Sequence, residues 1–421
     1  MSAAAHIAIV GAGHAGGRVA QHLKALGHTG RLTLIGAERH APYERPALSK
    51  ELLLGKSEQQ SIRLAPADFW HDDALTRAGI ERLHATADLL EVAARRLHLR
   101  DGRSVDFDLL VVATGGAAKL PPFMQAPLEG VHVLRTLDDC LGLRASLAGC
   151  RRLAIIGAGV IGMEVASSAL SLDVPVTVLE GGAGVMTRCL PPAVAAWLAA
   201  QHVARGVDLR TGVSVTGIER DKAADADALP LHIHLQENGV AATLDADCVL
   251  VAIGVDCNPA FLRGTGLSDA RGVIVDEWCR SPAAPWLYAA GDAACTFDSS
   301  ANRHLRQETW RNAENQARAV AGIMLGRTEP YRETPWMWTD QLGHAIQVTG
   351  IADAADETVV RGDLDAANAT VLTLRDGCVS AGVTINQSRE RRHVEKLVSS
   401  RKPVDAARLA DPAVALKELV G

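Results

Sequence analysis

The sequence predicts an α/β fold in which two strand–helix–strand units precede a smaller C-terminal α+β domain. Three observations carry that prediction. His6-Ile-Ala-Ile-Val-Gly11-Ala-Gly13-His-Ala-Gly16 is an apolar strand, a glycine turn and the start of a helix running to about Leu26. Leu153-Ala-Ile-Ile-Gly157-Ala-Gly159-Val-Ile-Gly162 repeats the pattern, with a helix to about Leu172. After each helix comes a short apolar strand, Leu32–Ile35 and Val176–Leu179, which completes a βαβ unit. The third observation is the arithmetic. The chain has 421 residues, 48% hydrophobic and 22% charged, with 38 glycines. That is a folded chain with room for two or three domains.

The remaining elements follow in order. Leu109-Leu-Val-Val-Ala-Thr-Gly115 and Val249-Leu-Val-Ala-Ile-Gly254 are apolar strands that stop at glycine. Leu287-Tyr-Ala-Ala-Gly291-Asp292 is a short strand delivering an acid at its end. Ala87–Leu99 with Asp101-Gly102, and Val213–Leu244, read as antiparallel meanders. A helix is expected over Asn312–Leu325, with Gly326 as its stop and Pro330 and Pro335 marking a boundary. Beyond it Val348, Thr358–Arg361, Ala369–Leu374 and Val379–Ile385 read as strands and Val394–Ser399 as a helix. The expected division is 1–114 with 263–326 as one discontinuous domain, 115–262 as a second and 327–421 as the third.

Several classes are excluded. The formal net charge is −6, from 43 basic and 49 acidic residues, so no overall basic balance points to nucleic acid. The eight cysteines, at 140, 150, 189, 248, 257, 279, 295 and 378, contain no C-x-x-C and no zinc-ligand spacing with histidine. Buried structural thiols and no metal site are expected. His232 and His234 share a strand face with no third ligand in reach and read as exposed meander residues. No uncharged apolar run reaches 18 residues, and Ala3–Val10 lacks the basic start of an export signal, so a cytoplasmic location is expected.

The chemistry starts from G-x-G-x-x-G. The first glycine permits the tight turn, the second lets backbone approach a pyrophosphate, and the third allows close helix–strand packing. The pyrophosphate then rests on amide groups at the positive end of the helix. An acid should follow each unit to bind the adenosine ribose. Glu180 does so, 23 residues beyond Gly157, and its charge repels a 2′-phosphate, predicting NADH over NADPH. No arginine follows until Arg188. In the first unit the acid is Glu38, reached through Gly36 and Ala37. Two dinucleotide sites in one chain imply a flavoprotein that accepts hydride from a nicotinamide. FAD belongs in the N-terminal site, where Asp292 can bond the ribityl chain.

Tyr43-Glu-Arg-Pro-Ala-Leu-Ser-Lys50, Leu134-Arg135-Thr136, Glu308-Thr-Trp310-Arg-Asn312-Ala and Pro335-Trp336-Met-Trp338-Thr-Asp340-Gln341 carry a resemblance over essentially the whole chain. The sequence resembles the FAD-dependent, NADH-oxidising ferredoxin reductases that feed bacterial ring-hydroxylating dioxygenases and some cytochromes P450. It looks like the reductases of phenylpropionate- or anthranilate-type dioxygenases. It departs from their pattern at Ala47, where a second proline is usual, at Met337, which replaces an aromatic, and at Ala37, where an acid is common. The last puts the Glu38 ribose contact in question.

The resemblance implies the glutathione-reductase-like fold with two Rossmann-type units and a C-terminal α+β interface domain. It implies FAD contacts at Gly11, Gly13, Ala15, Gly16, Glu38, Arg45, Pro46, Lys50, Ala113, Thr114, Gly115, Arg135, Gly291, Asp292, Glu308, Thr309 and Trp310. NAD contacts are implied at Gly157, Gly159, Ile161, Gly162, Glu164, Glu180, Arg188 and Gly254. Lys50 and Glu164 carry over as the catalytic pair near the flavin–nicotinamide junction. The residues alone read as a solvated helix lysine and a first-turn carboxylate favoured by the helix dipole.

Disulfide reductases of this fold carry a redox cysteine pair soon after the first unit. Here Pro42–Leu54 has no cysteine, so electrons have no thiol stop. The resemblance implies that hydride should pass from NADH to flavin N5 and that single electrons should go on to a [2Fe-2S] ferredoxin and through it to a terminal oxygenase. Trp310, Trp336 and Trp338 are expected to shield the flavin face opposite NADH and line the exit; the alternative is ordinary core packing. Arg306, Arg311, Trp336 and Trp338 are the expected partner contacts. They sit among a run of basic residues (Arg303, His304, Arg389, Arg391, Arg392, Lys396) that would steer an acidic ferredoxin. A monomer is expected. The alternatives are a rubredoxin reductase, an NADH oxidase, and a redox-controlled FAD-bound interaction protein like the apoptosis-inducing factors.

Overall fold

The structure is a computed structural model that describes residues 5–65, 69, 80–221, 229–257, 259–299 and 302–420. Ala3 and Ala4 of the first apolar stretch and residues 222–228 of the second meander lie outside the described residues. The chain divides into two compact units. One is built from residues 1–46, 58–117 and 255–333, the other from 47–57, 118–254 and 334–421.

The first unit holds a parallel five-stranded sheet in the order Leu287–Ala289, Leu109–Val112, Ile7–Val10, Leu32–Gly36, Ile80–His84. Ile7, Ala8, Ile9 and Val10 are all buried, as expected of a central parallel strand covered on both faces. The His14–Ala25 helix packs one face with Trp310–Met324, joining Val19, Leu23, Ala317 and Val320 to Ile7 and Ile9 in one apolar core. A second core lies on the other face, where the Ala87–Glu91, Arg96–Leu99, Ser104–Asp106 meander contributes Leu90, Leu97, Leu99 and Val105.

The second unit repeats the logic. Its parallel sheet runs Asp208–Thr211, Val176–Glu180, Leu153–Ile156, Cys248–Val251, Val131–His132. The Val213–Arg220, Leu231–Glu237, Val240–Ala246 meander covers it through Leu231, Ile233 and Leu235. The C-terminal part is a five-stranded antiparallel sheet in the order Trp336–Gln341, His344–Gly350, Cys378–Ile385, Asn368–Arg375, Glu357–Asp363. Val394 and Leu397 of the Arg391–Ser400 helix pack onto this sheet.

Local chemistry accounts for the differences from expectation. The helix expected from Asn312 begins at Trp310, because Thr309 is its cap and accepts the Asn312 N–H at 3.2 Å. The Leu137–Leu147 helix opens with a capping box between Thr136 and Asp139, and Pro192–Ala204 opens with proline in its first turn. Neither helix was expected. The Trp336–Gln341 strand was not expected either, since its burial does not alternate cleanly.

Candidate active site

In the first unit the glycine turn leaves no room for side chains where backbone segments meet. A Cβ at Gly16 would stand 1.8 Å from the Gly11 carbonyl oxygen. Gly13 caps the following helix without a side-chain bond, and no acid occupies the first turn. The backbone amides at that end therefore keep their full positive character. A Cβ at Gly13 would meet only the Arg45 guanidinium, at 3.3 Å. A bare helix N-terminus and a guanidinium thus converge on one spot, which fits the pyrophosphate of a dinucleotide.

Arg45 is held there by Glu38 at 2.8 Å, and Tyr43 donates its hydroxyl to the other Glu38 oxygen at 2.5 Å. Glu38 is the half-buried anchor of Arg45. Asp292 is close enough to act on Arg45 electrostatically. Gly291 donates its N–H to Gln316 at 2.9 Å and lies so near Ala15 that a Cβ would stand 2.9 Å from the alanine methyl. Ala113 is buried beside Gly11, while Thr114 is exposed and Gly115 half-buried. Trp310 meets His14 edge-on at 5.4 Å. Glu308 is bound to Arg306 at 2.6 Å. Pro46 ends the first segment of this unit, whereas Lys50 and Arg135 belong to the second unit.

In the second unit a Cβ at Gly162 would stand 2.1 Å from the Gly157 carbonyl oxygen, and one at Gly159 would meet nothing within 4 Å. The helix behind Gly159 has no side-chain cap and no acid in its first turn. This open cradle at a bare N-terminus fits a second pyrophosphate. Glu180 is the last residue of its strand. Its two oxygens accept the Ala158 N–H at 2.7 Å and the Gly182 N–H at 2.6 Å, which aims the carboxylate across the turn. Arg188 is exposed, with a guanidinium nitrogen 4.0 Å from where a Gly254 Cβ would stand. Ile161 is half-buried on the same helix. Arg135 gives its backbone N–H to Asp139 at 3.0 Å.

A buried polar cluster surrounds Glu164. The helix starts at Val160, so Glu164 lies on its second turn and is 4% exposed, rather than a solvated first-turn carboxylate. Lys50 Nζ sits 2.7 Å from its Oε1. Thr339 donates its hydroxyl to the same oxygen at 2.7 Å, and Ser49 donates to Oε2. Ser168 donates to the Ser49 carbonyl at 2.7 Å, tying the Lys50 segment to the helix that carries Glu164. A buried carboxylate with an ammonium and two hydroxyls has the partners that burial of a charge requires. Sequence reasoning named Lys50 and Glu164 but not Ser49 or Thr339, although both lie inside the two most distinctive motifs.

Trp336 and Trp338 stack at 5.3 Å with 23° between their planes, and Arg391 lies 5.5 Å over the Trp336 ring. The basic run is more compensated than its sequence suggests. Arg311 pairs with Glu333 at 2.8 Å, Arg306 with Glu308, and Arg391 with Glu395 at 2.8 Å, so none is an isolated positive charge. Arg389, Arg392 and Lys396 are exposed. His232 pairs with Asp245 at 2.7 Å. No metal-binding group occurs among the described residues. None of the eight cysteines forms a disulfide, and Cys150, Cys189 and Cys378 are only half-buried, against the expectation of buried thiols throughout.

Residues 5–317 match the family model for pyridine nucleotide-disulphide oxidoreductases, and residues 336–420 match the reductase C-terminal model. The chain belongs to the pyridine nucleotide-disulphide oxidoreductase family. It is 36% identical over 413 residues to the ferredoxin--NAD(+) reductase component of the anthranilate 1,2-dioxygenase system of Burkholderia cepacia, covering 97% of this chain and 98% of the relative. It is also 36% identical over 417 residues to the corresponding component of the p-cumate 2,3-dioxygenase system of Pseudomonas putida, covering 98% of each. Putidaredoxin reductase, in its covalent complex with putidaredoxin, superposes with a TM-score of 0.91 at 32% identity, over 99% of this chain and 98% of that one. Family members of this kind use FAD and NADH, for which the two glycine turns have the open, anion-seeking geometry described above. No helix among the described residues is long and apolar enough to cross a membrane.

Proposed function

We propose that the chain is an NADH-dependent ferredoxin reductase, oxidising NADH and delivering electrons to a [2Fe-2S] ferredoxin that serves a ring-hydroxylating dioxygenase or monooxygenase. FAD, when bound, supplies the conversion of a two-electron hydride into single electrons. We assign residues 1–114 with 263–326 to FAD, 115–262 to NADH and 327–421 to the partner interface. The observation that carries the reading is the Lys50–Glu164 pair, in a chain that also has two bare glycine-turn helix ends and no disulfide among its cysteines.

The protein's own groups have separable tasks. The amide ends at Gly13 and Gly159 bind pyrophosphates and orient each dinucleotide. Glu180 receives the ribose hydroxyls and disfavours a 2′-phosphate. Lys50 presents a fixed positive charge, 12% exposed and held by Glu164, where negative charge must be accommodated. Asp292, Arg45 and Trp310 line the FAD unit. Arg306 and Arg311 of the first unit and Trp336 and Trp338 of the second are each assigned to partner contact; the paired arginines orient a partner more than they attract it, and the exposed Arg389, Arg392 and Lys396 supply the charge for an acidic ferredoxin. We place the enzyme in the cytoplasm as a monomer.

The test is NADH-driven reduction of cytochrome c by the FAD-loaded protein with and without a two-iron ferredoxin. Rapid turnover only with ferredoxin supports the reading. Equal oxygen consumption without ferredoxin makes the chain an NADH oxidase, and turnover only with rubredoxin makes it a rubredoxin reductase.

A further inference from the structure

We infer that His202, Gln341 and Thr339 form a one-way chain of hydrogen-bond donors that ends on Glu164 and positions it against Lys50. This deepens the reading of Lys50 and Glu164 given above and rests on it. None of these three residues is among those assigned above to a cofactor; their arrangement assigns them as positioning residues.

The direction of the chain follows from counting protons. Glu164 Oε1 lies 2.7 Å from Lys50 Nζ and receives the Thr339 hydroxyl at the same distance. A hydroxyl has one proton, so with that proton committed to the carboxylate Thr339 Oγ1 can only accept. It accepts from Gln341 Nε2 at 2.9 Å. The same amide nitrogen reaches Met186 Sδ at 3.4 Å, which accounts for its second proton. Gln341 Oε1 is then turned toward His202 Nε2 at 3.0 Å. A carbonyl oxygen cannot donate, so the proton of that contact is carried by His202 Nε2.

His202 completes the assignment. The residue is fully buried on the Pro192–Ala204 helix, and burial pushes its pKa down against the opposing pull of the Gln341 bond. Its Nδ1 has no hydrogen-bond partner among the described residues. A neutral ring protonated at Nε2 leaves only an acceptor unsatisfied there. Reversing the Gln341 amide would set its oxygen against the Thr339 oxygen, lone pair to lone pair. It would also force the His202 proton onto Nδ1, burying a donor with nothing to bond, which is the more costly orphan. One amide orientation and one tautomer satisfy the whole chain.

The consequence is geometric. Lys50 and Ser49 are adjacent in sequence and approach Glu164 from one segment. Thr339 is the donor that comes from the C-terminal sheet, and Gln341 and His202 keep its proton aimed. Without that third donor the carboxylate can turn about its side chain, and the ammonium it holds moves with it. Reacting groups held in one arrangement gain rate that loosely held ones forfeit.

Two measurements test this on the FAD-loaded full chain. Nitrogen NMR of protein labelled at histidine, with His202→Gln used for assignment, should show His202 at pH 7 as a neutral ring protonated at Nε2. A ring protonated at Nδ1, or at both nitrogens, overturns the inference. Thr339→Val keeps the shape and removes the donor. Flavin reduction by NADH in the stopped-flow should slow about tenfold while NADH affinity changes by less than about twofold, and Thr339→Ser should restore the rate. An unchanged rate in Thr339→Val also overturns it. If Thr339→Val does not fold, the tautomer alone decides. Failure of the unmodified protein to reduce its flavin with NADH would overturn the functional reading instead, and the tautomer result would stand apart from it.

Discussion

The second and third glycines of the second turn, Gly159 and Gly162, should respond to alanine in opposite ways. At Gly162 the added methyl would stand 2.1 Å from the Gly157 carbonyl oxygen, and an ordinary contact requires the helix or the turn to retreat by about 1 Å. Gly157, just past the central Leu153–Ile156 strand, and Gly162, on the helix that follows, are both buried and have little freedom to do so, and overpacking of this kind costs about 1–3 kcal/mol. At Gly159 the backbone is already extended, with φ −75° and ψ −173°, and the methyl meets nothing within 4 Å. Gly159→Ala should therefore fold with a melting temperature within about 2 °C of the unmodified protein, while Gly162→Ala should lose about 2–8 °C. Binding should reverse the order. If the open space at Gly159 receives a pyrophosphate at the helix end, as proposed, Gly159→Ala should weaken NADH binding by about tenfold, a loss of about 1.4 kcal/mol. Isothermal titration with NADH and differential scanning calorimetry on both variants decide the matter. Unchanged NADH affinity in Gly159→Ala would refute the assignment of that cradle, however stable the variant proves.

Other outcomes follow from the same geometry. Lys50→Ala should slow flavin reduction by NADH in the stopped-flow by about tenfold or more, since it removes the charge held by Glu164. Glu180→Ala removes both a negative charge and the acceptor for two backbone amides, so the ratio of kcat/KM for NADH over NADPH should fall by about tenfold. Arg361 is buried and serves Glu390 and the carbonyls of Leu409, Asp411 and Pro412, so Arg361→Met should destabilise the fold by about 3 kcal/mol in urea titration, without a direct effect on NADH affinity. Burial works to raise the Glu314 carboxyl, but bonds from His14 and Arg18 outweigh it and leave the group below its ordinary range. Its stabilisation is complete above the unfolded value of about 4.3 and is lost as pH falls through the lower folded value, so Glu314→Gln should flatten the acid side of melting temperature against pH.

Much of this was legible because its causes are local. An apolar strand, a glycine turn and a helix occupy a few dozen consecutive residues, and Leu32–Gly36 and Val176–Glu180 extend the expected strands by one residue each. The meeting of Lys50 and Glu164 was legible only through the resemblance; composition and spacing alone left both as surface charges. What stayed hidden depends on partners distant in sequence. Glu164 and Thr339 are 175 residues apart, and His202 and Gln341 139 apart. Charge compensation was hidden for a related reason. Arg311 reads as a free cation until the fold brings Glu333 to it from beyond the end of its helix. The Trp336–Gln341 strand escaped notice because its large half-buried rings mask the two-residue period that marks a strand.

That strand divides its labour by parity. Trp336 and Trp338 stack on each other, while Thr339 and Gln341 bond to each other and toward Glu164. Because neighbouring side chains on a strand leave opposite faces, a substitution at 336 or 338 need not disturb 339 or 341. If Trp336 and Trp338 meet the electron acceptor as proposed, a lineage can exchange one acceptor for another by redrawing the even positions while the odd ones stay as they are. Deleting one residue is a different event: it would shift the parity of the residues beyond it, presenting rings to a carboxylate and polar groups to the ring stack. The segment can change its composition freely on one side, but it cannot change its length.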